Sequence, residues 1–214
     1  MVSNKIRENS SRGFALLLTI LVLSVVLGIS LTMLSLSIKQ VQLTVDTRDS
    51  EIAFHAASAG LECMRYWRRN SATVSDFELA NSGISINCFN TGSTAPNSYL
   101  NLVTGTLPSG ASLSGGSGSA ARYNYRLSWG SGNQARCSEM SMIVMNVNLD
   151  ADDEMLLTGV SLLIPGYTGL ADEKTCDPGG FCTIVSSRGY SRACPTGGNP
   201  FPIGTVQRDI LVEF

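Results

Sequence analysis

The sequence predicts an α+β fold: one long N-terminal helix, transmembrane in its first half, packed on a β-rich head built as an antiparallel sheet. Three observations predict it. Gly13 to Ile38 is a run of 26 residues without a charge. Apolar positions at helical spacing continue past that run to Trp67. From about residue 73 the texture changes: 18 of the 21 glycines and all seven prolines lie there, among short stretches that alternate apolar and polar residues.

The uncharged run, GFALLLTILVLSVVLGISLTMLSLSI, is closed by Arg12 and Lys39. A hydrocarbon core about 30 Å thick needs roughly 20 apolar residues in a helix, and a helix pairs its own backbone groups inside lipid. Six hydroxyl residues (Thr19, Ser24, Ser30, Thr32, Ser35 and Ser37) interrupt the run. Each is expected to bond back to a carbonyl of the preceding turn or to lie where helices pack together. Residues 1–13 carry Lys5, Arg7 and Arg12 against Glu8, whereas 73–214 carry 7 basic and 12 acidic side chains. The positive charge before the span places the N-terminus in the cytoplasm and the remainder outside. The acidic distal part argues against a nucleic-acid surface, which needs clustered Lys and Arg.

The helix is expected to run from about 14 to 69. Ile38, Val41, Val45, Ile52, Ala56, Ala59, Cys63 and Trp67 recur at three, four or seven residues, and no proline precedes Pro96. Gly28 and Gly60 are its soft points. Small residues Ala53, Ala56, Ala57, Ala59 and Gly60 would let another backbone or a sheet lie close. Arg65-Tyr66-Trp67-Arg68-Arg69 ends it with cations, which suit a helix C-terminus. The domain boundaries that follow are a leader over 1–13, a transmembrane half over 14–38, an amphipathic half over 39–70 and an extracytoplasmic head over 71–214.

A short basic leader ending in Gly13, followed by Phe14 and a long apolar helix, resembles the precursors of type IV pilins and type II secretion pseudopilins. The run from Thr47 to Leu61, with its RD…AF.AA.AGL order, resembles the PilX N-terminal family of pilus assembly proteins. Together these features cover about residues 12–65. The resemblance implies a pilin-like fold, cleavage by a prepilin peptidase between Gly13 and Phe14, and N-methylation of Phe14. The partners it implies are other pilin subunits through the N-terminal helix, the prepilin peptidase, and an inner-membrane assembly platform, with membrane lipid around the helix before assembly. At the fifth mature position, where most major pilins carry Glu, this chain departs from the pattern with Leu18, which fits the minority of minor subunits that lack this Glu.

In the head, strands are expected over Tyr123–Trp129, Met140–Leu149, Met155–Ile164, Thr183–Ser191 and Val206–Phe214, with a further short one at Ser85–Cys88. Residues 90–122, rich in Ser, Gly, Thr and Asn, read as a flexible surface loop. Six cysteines, Cys63, Cys88, Cys137, Cys176, Cys182 and Cys194, all follow the span. An even number in an exported region points to disulfides, whose pairing sequence leaves open. The Asp-Pro-Gly-Gly turn between Cys176 and Cys182 favours a staple there, one that would present Phe181.

Candidate chemistry is sparse. His55 is the sole histidine, which excludes a His-based triad or a multi-His metal site. GGSGSA lacks the strand-to-helix context of a phosphate-binding loop. Asp150, Asp152, Asp153 and Glu154 form the one acidic cluster. It is a weak calcium candidate without EF-hand spacing, for which a solvated turn is the default. No cofactor is expected and no enzyme. The function expected is a minor pilin or pseudopilin subunit for assembly or initiation of a pilus-like filament. The alternative is a filament-tip adhesin or binding module on the same helix; an anchored extracytoplasmic enzyme has no motif in its favour.

Overall fold

The computed structural model describes residues 8–70, 72–169, 171–195 and 199–214. Residues 1–7 of the expected leader lie outside them. The chain divides into two compact units, Met1–Thr47 and Arg48–Phe214.

Helix α1 spans Glu8–Arg69, beginning six residues before the expected start. In the first unit it is the whole of the described structure. It is long and apolar enough to cross a membrane, with a mean hydropathy of 2.8 in its most apolar window. Each of the six hydroxyls in the uncharged run donates to a carbonyl three or four residues back, at 2.7 to 3.0 Å. None of these groups is therefore left unpaired on the apolar surface of the helix.

The second unit is a helix on two sheets. Residues 48–69 of α1 are followed by the short helix α2 (Val74–Glu78). The chain then forms β1 (Ser98–Asn101), β2 (Ser112–Gly115), β3 (Gly118–Trp129), β4 (Arg136–Val147) and β5 (Met155–Thr158). A helical turn α3 (Val160–Leu163) precedes β6 (Glu173–Cys176), β7 (Phe181–Tyr190) and β8 (Gln207–Glu213). The main sheet has the order β1-β3-β4-β7-β8 and the smaller one β2-β5-β6. Every pairing is antiparallel.

Strand alternation in β3, β4 and β7 sends successive side chains to opposite faces, so the main sheet carries two cores. Tyr123, Tyr125, Met140, Met142 and Val185 face α1 with Met64 and Phe77. Ile143, Met145 and Ile184 face the smaller sheet and α3 with Leu157 and Leu163. The phenols on the helix side also hold the following segment. Tyr99, Tyr123 and Tyr125 donate to the carbonyls of Ala80, Asn81 and Ile84 at 2.5, 2.9 and 2.7 Å. Burial raises the pKa of Tyr123 and Tyr125 well above the ordinary phenol value.

Several expectations need correction. Residues 90–122 are not one flexible loop: they contain β1, β2 and the first part of β3. Isolated leucines anchor the stretch, Leu102 buried and Leu100, Leu107 and Leu113 partly so. Pairing with the longer strands supplies the order that Ser and Gly propensity does not. The strand expected over Met155–Ile164 stops at Thr158, because Gly159 turns the chain at φ +67° and α3 follows. Ser85–Cys88 contributes only a bridge between Ile86 and Thr94. The polar β6 has no alternation that would mark it; its pairing of Cys176 with Met155 and its bridge to Cys182 define it.

Candidate assembly interface

The first half of α1 leaves its side chains uncovered. Phe14 is 69% exposed, Leu18 51% and Val41 65%. An apolar surface of this extent has no stable place in water. Gly13 and Gly28 sit in open space: beyond the adjoining residues and the local helix backbone, no described atom lies within 4 Å of where a Cβ would be. Neither residue has a positive φ. The fold of the single chain therefore gives no reason for glycine at either position, where alanine would favour the helix by about 1 kcal/mol.

The second half is a seat on the main sheet. Ala53, Ala56, Ala57, Gly60, Met64 and Arg68 follow one helix face at three- and four-residue spacing and are buried. A Cβ at Gly60 would lie 2.5 Å from Ser187 Oγ. On β7, Gly189 faces the helix backbone so closely that a Cβ there would overlap the Ala53 carbonyl and the Ala57 nitrogen. Ser138 Oγ donates to the Ala56 carbonyl at 2.8 Å. Arg208 on β8 donates to Ser50 Oγ at 2.7 and 2.9 Å.

This seat corrects the expected apolar face. Ile38, Val41 and Val45 are exposed, and Ala59 and Trp67 lie at its flank, only partly buried. The buried line is displaced around the helix by about one position. Ala56 and Cys63 of the expected line are buried, and Ala53, Ala56, Ala57 and Gly60 are the small residues expected to let a sheet lie close. Gly189, Ser138 and Arg208 are absent from the sequence-based candidates. A signal was present for Gly189: a lone glycine inside a strand pattern marks close backbone approach.

The basic-aromatic end of α1 is divided: Arg65, Tyr66 and Arg69 line one shallow surface with Glu62 and Asn70, from which Arg68 is turned away. Arg68 is buried, its Nε donating to Thr183 Oγ1 at 3.2 Å and its Nη1 3.6 Å from Glu78 Oε1. Desolvation lowers the Arg68 pKa, with the Glu78 carboxylate opposing that shift. Arg65 pairs with Glu62 at 3.0 Å, and Arg69 lies over the Phe214 ring at 5.5 Å. Trp67 Nε1 donates to the Asn87 carbonyl at 3.2 Å.

All six cysteines are paired: Cys63–Cys88, Cys137–Cys194 and Cys176–Cys182. The first ties α1 to the segment that follows α2. The last closes the Asp-Pro-Gly-Gly loop as expected, next to Phe181, which is 51% exposed. Asp150, Asp152, Asp153 and Glu154 lie in the turn between β4 and β5, all four exposed. Among the described residues no three His, Cys, Asp or Glu side chains are gathered to hold a metal. His55 is exposed, its ring 6.0 Å from that of Phe54. No protein-family model, curated protein or solved structure matches the chain.

Proposed function

We propose that this chain is a minor, non-enzymatic subunit of a type IV pilus-like filament. It is held in the inner membrane by α1, with its N-terminus in the cytoplasm, and joins the filament through the same helix. The observation that carries this reading is the division of α1. One half offers an uncovered apolar surface with every hydroxyl in its uncharged run satisfied internally, fit for lipid or for other helices. The other half is committed to its own head. The sequence resemblance supplies the processing step, a cut between Gly13 and Phe14 by a prepilin peptidase followed by methylation of Phe14. Open space around Gly13 supports it, since the glycine then answers to the peptidase rather than to packing. Leu18 carries no charge that needs a partner in lipid, which suits a tip or initiating position. Sister subunits and the assembly platform are the partners, and nucleic acid is not.

The exposed Phe181 beside the stapled Cys176–Cys182 loop favours a second reading, a filament-tip binding module on the same anchor. The test of the main reading is the mature N-terminus. Intact mass and peptide mapping of protein from cells with an active prepilin peptidase should show a chain beginning at methylated Phe14, and Gly13→Leu should leave the precursor uncut. Protein that still begins at Met1 or Val2 would sink the pilin reading.

A further inference from the structure

The two sheets end in four edge strands, and one of them differs from the rest. β1, β2 and β6 hold four residues each. On β1, the Asn101 carbonyl is also taken, accepting from the Gly105 nitrogen at 2.9 Å. β8 holds seven residues, none of them buried, and it pairs with β7 on one side only. Thr183 and Phe214 exchange both backbone bonds, at 2.8 and 3.0 Å. Antiparallel ladders alternate from such a pair, so Arg208, Ile210 and Val212 turn their backbone groups to β7. Gln207, Asp209, Leu211 and Glu213 turn theirs outward, where no described strand meets them.

Proteins guard such edges with proline, bulges or outward charges. β8 contains neither Pro nor Gly, and its charges are drawn back onto the head. Arg208 donates to Ser50 Oγ on α1. Asp209 Oδ2 lies 3.4 Å from Arg188 Nε on β7, and Glu213 Oε2 lies 2.6 Å from Lys174 Nζ on β6. The registers place Arg126, Glu139, Arg188 and Asp209 in one row across β3, β4, β7 and β8. Charge alternates along this row, which ends on an acid at the open edge. Ile210 and Val212 lie against the core that faces α1, and Leu211 lies against the second core. All three are only half-buried, so a further strand would cover apolar surface on both faces.

We propose that β8 takes up an extended segment of another polypeptide as a further antiparallel strand, and that this segment alternates basic, β-branched, apolar, β-branched, basic. Its first basic residue stands opposite Glu213, its central apolar residue opposite Leu211 and its second basic residue opposite Asp209. The β-branched residues fall beside Val212 and Ile210. Opposite charges across a strand pair stabilise it and like charges oppose it, so a cation facing Asp209 continues the alternating row. Main-chain bonds from the outward residues supply affinity, and the side-chain rows supply selectivity. No edge strand of a second copy fits. β8 itself offers no cation at its outward positions, β1 and β2 carry none, and Lys174 of β6 is held by Glu213. The inference needs only the folded head and stands apart from the filament reading.

The experiment uses the oxidised full chain in a zwitterionic detergent. Fluorescence anisotropy is recorded with the labelled peptide Thr-Lys-Val-Ile-Val-Lys-Thr. Two comparison peptides are used, one N-methylated at the isoleucine and one with glutamate in place of both lysines. Saturable binding of the lysine peptide is expected, weakened about tenfold or more by the N-methyl group or by the glutamates. Leu211→Pro removes an outward N–H that the fold does not use and should abolish binding at unchanged melting midpoint. Asp209→Lys should shift preference toward the glutamate peptide, and it keeps the test decisive if the proline variant unfolds. No binding of the lysine peptide overturns the proposal. So does equal binding of either comparison peptide, or a folded Leu211→Pro or Asp209→Lys that binds like the wild type. Self-association of the chain that Leu211→Pro abolishes would assign the edge to a second copy and overturn it as well.

Discussion

The two units share one helix and use it in opposite ways. In residues 13–45, large aliphatic side chains point outward uncovered and glycine touches nothing. In residues 50–68, small side chains face a sheet and glycine is crowded. Helical periodicity alone marks both as helix, but a stretch whose partner is lipid or another molecule keeps its bulk. A stretch whose partner is its own sheet gives bulk up, because backbone-to-backbone approach leaves no room for it. The size of the residues on the face, more than their hydrophobicity, tells which partner the face is for.

The largest expected break of that contrast is reduction. Each bridge contributes about 2–4 kcal/mol, and the three together rival the whole stability of about 5–15 kcal/mol. Reduced and alkylated protein should lose head structure by near-ultraviolet circular dichroism while its apolar helix persists in micelles. Retention of a native head after full alkylation would remove the bridges from the account. The next effect is alkaline. Burial disfavours the phenolates of Tyr123 and Tyr125, so their folded-state pKa values lie above the ordinary value of about 10. The stability this contributes is complete below about pH 10 and is lost as pH rises through the folded-state pKa. The head melting midpoint should therefore fall at high pH in step with tyrosinate absorbance.

Three glycine-to-alanine changes then grade the contrast. Gly189→Ala pushes a Cβ into helix backbone that cannot rotate away, and should cost about 3 kcal/mol or more. Gly60→Ala meets Ser187 Oγ, a side chain able to turn, and gains helix propensity, so a net loss of about 1 kcal/mol is expected. Gly28→Ala meets nothing and should leave the head unchanged while favouring the helix by about 1 kcal/mol. Thermal melts of the three in the same micelles should rank them in that order. A Gly28→Ala head that melts lower than Gly189→Ala would reverse the division of labour along α1.

The sequence made the long helix, the change of texture near residue 73 and most of the long strands legible, because periodicities of 3.6 and 2 survive in runs such as Tyr123–Trp129. What stayed hidden depends on partners distant in the chain. β1 and β2 are four-residue stretches ordered by β3 and β5, and β6 is ordered by β5 and a disulfide. The seat of α1 was half legible: its small residues stand together in sequence, but Gly189 and Ser138 join them only through the fold. Burial of Arg68 was masked by its place in a run of cations. Its partners, Thr183 and Glu78, give no local sign of the pairing.

The Cys137–Cys194 bridge has a mechanical consequence. An unbridged domain pulled by its two ends can unravel strand by strand. This bridge joins residues 57 positions apart in sequence, enclosing most of β4 and all of β5, β6 and β7. At about 3.5 Å per extended residue, roughly 200 Å of chain is withheld from stretching. Oxidised protein pulled by its two ends should therefore yield far less slack than reduced protein, and bear the force on β8 and the flanking segments instead of on the strands inside the loop.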